Sequence, residues 1–180
     1  MHIQSHIMSG WCIANCFSLT AKERFLAMLA ATLPDLDGVT YVLGAEAYWA
    51  THHVYGHNLL YGVVLAGILT AFCSHRWSCF LLFTGLIHLH FVMDLLGSGE
   101  GWTIPYFLPF HPHEFSWRFG WEFDSVQNKV AGLLLLLWCV WIAVYRKRTP
   151  LEYLMPKLDA QLAEAAQKLR PRRKTSGEEQ

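Results

Sequence analysis

The sequence predicts an all-α protein, a multi-spanning membrane bundle of about five apolar helices with a charged C-terminal tail, helical or disordered. Three observations lead there. Hydrophobic residues make up 53% and aromatics 14% of the 180 residues, both high for a soluble chain. Five apolar segments recur along the sequence. The charge, zero overall, is unevenly spread and becomes dense in Lys, Arg and Glu from Pro150 onward. With no net charge there is no overall field to attract nucleic acid, so none is expected as a partner.

The segments follow in order. The first runs roughly from Ile7 to Leu19, and the second, "AKERFLAMLAATL", stops at Pro34. The third spans about Asn58 to Cys73 and the fourth Cys79 to Leu96. The fifth, "VAGLLLLLWCVWIAVY", is halted by Arg146, Lys147 and Arg148. A simple span needs ~20 apolar residues for ~30 Å of hydrocarbon. By that measure segments three to five are the safer spans, whereas the first two are short and fit tilted or internally packed helices. A soluble helical protein with a large core is the competing fold, and the length of the fifth run argues against it. Residues 1–149 thus form the membrane-embedded domain. Residues 150–180 form a charged cytoplasmic tail, ending in "RPRRKTSGEEQ", with too little apolar material to fold.

Charge placement orients the bundle. If the Arg146 cluster is cytoplasmic, alternation puts "SHRW" (74–77) and "TAKER" (20–24) on the same side, as the positive-inside rule expects. The other side receives the first residues, the Asp35–Asn58 loop and the long Gly97–Asn128 loop. That last loop, rich in Trp, Phe, Pro and Gly, suits a lid at the membrane interface. The first residues lack a basic n-region, so no cleavable signal is expected and insertion uses the mature helices. The five cysteines lie in or beside apolar segments, an odd count that fits small buried hydrophobes rather than disulfides.

The polar residues inside this greasy framework are the informative ones. His6 begins segment one, and Asp35 and Asp37 of "PDLDG" follow segment two. His52, His53 and His57 of "THHVYGHN" precede segment three, and His90 and Asp94 lie near the end of segment four. Alternation brings all of them to the extracytoplasmic end. Each has a plainer reading: an exposed terminal histidine, a Pro-Asp-Gly helix stop, a helix entry with interfacial imidazoles. "HLHFVMD" is hardest to read plainly, because His90 and Asp94 are four apart on one helical face and ionisable residues in a span carry function by default. Its structural alternative is a buried His–Asp pair locking two helices. His88 lies on another face and reads as packing, and His111 and His113 read as loop surface. Imidazole and carboxylate at one depth suit zinc, with manganese as the alternative. The candidate metal ligands are therefore His6, Asp35, Asp37, His52, His57, His90 and Asp94. Asp35 or Asp37, whichever is not a ligand, is the candidate general base.

The order of these pieces also resembles a known family. "SHIMSG", "LPDLDG", "HHVYGHNLL" and "HLHFVMDLL" are similar to the segments of the inner-membrane metal-dependent hydrolases, the YdjM-like proteins. Those show an early His, a Pro-Asp-x-Asp, a His-Arg-Gly-x-Thr-His-Ser and a His-x-x-x-Asp. The resemblance covers about Ser5 to Pro109. In its third motif His53-Val54-Tyr55-Gly56 replaces the Arg-Gly and Thr positions, and Asn58 replaces Ser. More distantly, His90-x-x-x-Asp94 looks like the pattern of zinc-dependent phospholipase C and P1 nuclease, without a clean match for their later His and His-x-x-x-Glu. The resemblance implies an inner (plasma) membrane hydrolase with one or two divalent metals, acting on a phosphoester or a lipid headgroup at the outer interface. Membrane lipid and a small-molecule or lipid substrate are the expected partners. A non-catalytic metal-binding or transport protein would use the same ligands, but segments three and five offer no charged path. A haem or quinone protein would use the histidines and leave the aspartates unexplained.

Overall fold

The computed structural model describes residues 1–170, and the extreme tail lies outside them. Eight helices and no strand are found among the described residues. They are α1 (Ile3–Ala14), α2 (Ala21–Ala30), a 3-10 helix (Leu33–Leu43), α3 (Ala45–Thr51), α4 (Leu59–Thr70), α5 (Arg76–Gly97), α6 (Val126–Arg146) and α7 (Pro156–Gln167). α1 packs against α2 and α6, α4 against α5, α2 against α5, and α7 against α6.

Local chemistry sets several of the boundaries. Thr20 and Glu23 form a capping box that starts α2, each side chain taking the other's orphan backbone N–H. Asn58 and Ser125 cap α4 and α6 through their side-chain oxygens. Pro34 sits in the first turn of the 3-10 helix, where its missing N–H is harmless. Small residues then bring α1 and α2 together. A Cβ on Gly10 would come within 2.8 Å of both Ala27 O and Ala31 Cβ, so the two backbones meet there as small-residue helix pairs do in membranes.

Two helices, α5 and α6, are long and apolar enough to cross a membrane, and the count becomes three if α2 and the 3-10 helix, bent by 55°, act as one span. The expectation of about five full spans is not met by length. α1 and α4 have 12 residues each, ~18 Å of helix against ~30 Å of hydrocarbon. Their apolar sequence runs on past the helix ends, through Phe17 and Leu19 and through Phe72 and Cys73, and so exaggerates their length. α6 turns Val130, Leu133, Leu134, Leu137 and Trp141 outward, as suits a lipid-facing side. Four of the five cysteines are buried, and all five are free thiols.

Beyond Thr149 the chain folds back on the bundle. Glu152 takes Arg24 in a two-pronged ion pair, with Nε to Oε1 and Nη2 to Oε2 both at 2.5 Å, and accepts from Trp11 Nε1 at 3.2 Å. Arg146 Nη1 donates to Asn15 O at 2.5 Å. These cations mark one end of the bundle, and the candidate site lies at the other.

Candidate metal centre

Four separate elements deliver the site. His6 lies in the second turn of α1, Asp35 and Asp37 in the 3-10 helix, His53 and His57 between α3 and α4, and His90 and Asp94 in the last turns of α5. Two groups of potential metal donors result, Asp35, His53, His57 and Asp94 in one and His6, Asp35 and His90 in the other. Together they place four imidazoles and two carboxylates in one buried cluster. His6, His57, His90 and Asp94 are at most 1% exposed. An ionised carboxylate buried that deeply needs charged or hydrogen-bonding partners.

Asp94 is at the centre. Its Oδ2 is 2.9 Å from His90 Nε2, 3.3 Å from His57 Nε2 and 3.7 Å from His53 Nε2. Its Oδ1 is 3.2 Å from His6 Nε2, accepts from Ser98 Oγ at 3.4 Å and also receives the Met1 amine. Asp35 Oδ1 approaches from the open side, 3.5 Å from His90 Nε2 and 3.8 Å from His57 Nε2. Asp35 belongs to both donor groups and Asp94 to one.

The outer nitrogens of two imidazoles are fixed from behind. His90 Nδ1 donates to the Ala31 carbonyl at 2.8 Å, and His57 Nδ1 donates to Asp37 Oδ2 at 3.1 Å. In a neutral ring the proton is then on Nδ1, and the lone pair of Nε2 faces the cluster. The two Nε2 atoms are 3.0 Å apart, with Asp94 and Asp35 oxygens beside them. Acceptor thus meets acceptor unless a cation lies between them. Burial opposes charge on both loop imidazoles, and it drives the pKa of His53 down to about 2. At His57 burial is outweighed by hydrogen bonds to Asp37 and Asp94 and by the charges of those carboxylates, which lift its pKa to about 9. A proton on Nε2 is one way to relieve the conflict, and a divalent ion is the other. Nδ1 of His6 and of His53 are buried without a hydrogen-bond partner, so these rings too have a nitrogen to offer. The donor chemistry fits a nitrogen-rich divalent centre.

The sequence-predicted residues divide accordingly. His6, Asp35, His57, His90 and Asp94 come together in the cluster. Asp37 stands one layer behind: Oδ1 accepts from His52 Nδ1 at 2.8 Å, and Oδ2 accepts from Gly56 N at 3.0 Å as well as from His57. This is the carboxylate–histidine arrangement that orients a ligand imidazole. Gly56 permits it, since a Cβ there would lie 2.1 Å from Pro34 O. His52 lies outside the cluster on the far side of Asp37. His88 binds Tyr106 OH and Thr84 O, both at 2.7 Å, and His111 and His113 stay on the exposed loop. His53 is the residue that sequence reasoning passed over. It enters the cluster through a left-handed backbone with φ 67°, uncommon for a residue with a Cβ. Another donor group, Glu23 with Cys73 and Cys79, lies at the opposite end, where Glu23 already accepts from the N–H groups of Thr20 and Ser74.

A cavity of ≈ 500 Å³ opens onto the cluster, lined by Asp35, Asp94, His53, Tyr48, Trp49 and Trp102 among others. In comparison with known proteins, the model of the YdjM inner membrane protein family matches residues 1–153. No curated protein matches the chain, and no solved structure does. The resemblance to zinc-dependent phospholipase C and P1 nuclease gains nothing from these comparisons.

Proposed function

This chain belongs to the YdjM inner membrane protein family, and from that premise we propose that it is a membrane-bound metal-dependent hydrolase acting on a phosphoester. The observation that carries the reading is the pair of Nε2 atoms of His57 and His90, 3.0 Å apart beside two carboxylates with both Nδ1 atoms engaged behind. We read His53, His57, Asp94 and Asp35 as holding one ion and His6, His90 and Asp35 a second, with Asp94 beside both. Four imidazoles among six donors favour zinc over the oxygen-preferring magnesium and calcium. When bound, such an ion acidifies a water and polarises a substrate oxygen.

The chain's own residues supply the rest. Asp37 fixes the tautomer and tilt of His57, and the Ala31 carbonyl does the same for His90. Both Asp37 oxygens are engaged by His52, His57 and Gly56, which makes it a positioning residue. Asp35 lines the cavity, so as a ligand it holds the centre at the side open to a substrate. The same reading has a multi-pass protein with Arg24 and Arg146 at the cytoplasmic end and the centre at the outer interface.

The test is direct. Protein purified in detergent and loaded with zinc should hydrolyse bis(p-nitrophenyl) phosphate, lose turnover on chelation and regain it with zinc. Asp35→Asn should weaken zinc binding, since Asp35 belongs to both donor groups, and lose most turnover. Full zinc loading without turnover on this diester or on p-nitrophenyl phosphate would leave a non-catalytic metal-binding protein.

A further inference from the structure

The cavity over the metal centre has a neighbour. A second cavity of ≈ 510 Å³ is lined by Trp49, His52, Glu100, Trp102, Thr103 and Glu114 among others. Trp49, His52 and Trp102 line both cavities, so the two are adjoining compartments with a shared wall. The indoles of Trp49 and Trp102 are 5.1 Å apart at an interplanar angle of 32°, and Trp102 also packs on His53 at 4.6 Å. A ligand atom held at the metal centre is therefore one aromatic wall away from two carboxylates.

Most of the charge at this end of the molecule is negative. From Asp35 to Asn58 and from Asp94 to Asp124, the stretches that build it, the chain has eight Asp or Glu and one cation, Arg118. Among the described residues neither cavity has a Lys or Arg in its wall, and the Met1 amine that lines the first is paired with Asp94. Such a lining concentrates cations and repels a ligand of net negative charge. Carboxylates beside indole faces are also the surroundings in which an ammonium group is held, by ion pairing and by the ring quadrupole. His53, 4% exposed, lines the first cavity, and its Nδ1 has no hydrogen-bond partner.

We propose that the second cavity is an ammonium subsite, so that the substrate is a zwitterionic phosphoester with its phosphate at the metal centre and a primary or quaternary ammonium between Trp49, Trp102, Glu100 and Glu114. The proposal rests on the reading of the centre as a phosphoester site and adds the class of headgroup it takes. The ammonium could be supplied by a membrane lipid or by a soluble headgroup ester.

Binding to the zinc-loaded full chain in non-ionic detergent tests it, read by calorimetry with two matched pairs. One pair is dihexanoyl phosphatidylethanolamine and dihexanoyl phosphatidylglycerol. The other is glycerophosphoethanolamine and glycerophosphoglycerol, without acyl chains. The ammonium member should bind about tenfold more tightly than its partner in at least one pair. Preference confined to the acylated pair assigns the source to lipid, and preference in both assigns it to the headgroup alone. Glu100→Gln/Glu114→Gln should abolish the preference at unchanged zinc content and melting temperature. Equal affinities in both pairs, tighter binding of the glycerol members, or a preference that survives the double substitution would overturn it. Selective binding without turnover would remove the hydrolase reading and leave the subsite. Turnover without selectivity would do the reverse.

Discussion

The Nε2 atoms of His57 and His90 lie 3.0 Å apart, and neither neutral ring has a proton to place between them. Asp37 and the Ala31 carbonyl hold the Nδ1 protons behind. With both Nδ1 protons held behind, either an added proton or a divalent ion must lie between the two Nε2 atoms, and the donor set around Asp94 suits the ion.

Asp37→Asn separates positioning from ligation. The amide has one acceptor oxygen, so its NH2 must face either the Nδ1–H of His52 or the donors from His57 and Gly56. The fold should survive, while zinc affinity falls roughly 10–100-fold, the usual effect of losing a partner behind a ligand. Competition against a chromogenic chelator measures it. Unchanged affinity would remove Asp37 from the centre altogether.

The proposed outward orientation of the site predicts a labelling pattern. His113 and Lys168 are both exposed, and the proposed orientation puts them on opposite sides of the membrane. On a cysteine-free background in intact cells, an impermeant maleimide should reach His113→Cys and spare Lys168→Cys until the membrane is opened. The opposite pattern would invert the topology.

At the basic end, Glu152→Gln should be costly. It leaves Arg24, whose side chain is 6% exposed, without its anion, and breaking a buried pair from one side destabilises by roughly 3–5 kcal/mol. The melting temperature in detergent should drop while the folded fraction keeps its zinc, since the pair lies at the end opposite the centre. Loss of zinc at full thermal stability would contradict this division of roles.

Much of the centre was legible in the sequence because alternation of apolar segments fixes which end each polar residue reaches. His6, Asp35, His57, His90 and Asp94 meet for that reason. The different postures of Asp35 and Asp37 were not legible. They lie in a 3-10 helix, where residues two apart point in divergent directions at about three residues per turn, so one faces the cluster and the other the back of His57. His53 was hidden by its left-handed backbone, which nothing in "THHVYGHN" announces. The span count failed because hydropathy continues through residues such as Phe72 and Cys73 after α4 has ended at Thr70, and helix length cannot be read from apolar composition alone.

The most direct measurement is the metal content of purified wild-type protein and of His90→Leu/Asp94→Leu. A buried pair with only a packing role tolerates joint replacement by apolar residues of similar size, whereas a ligand pair cannot be replaced without loss of the ion. The account predicts a double variant that inserts and extracts like wild type but has lost at least one zinc per chain, with His88→Leu retaining the wild-type content. Wild-type zinc content in the double variant would contradict the metal centre and reduce His90 and Asp94 to a helix-packing pair.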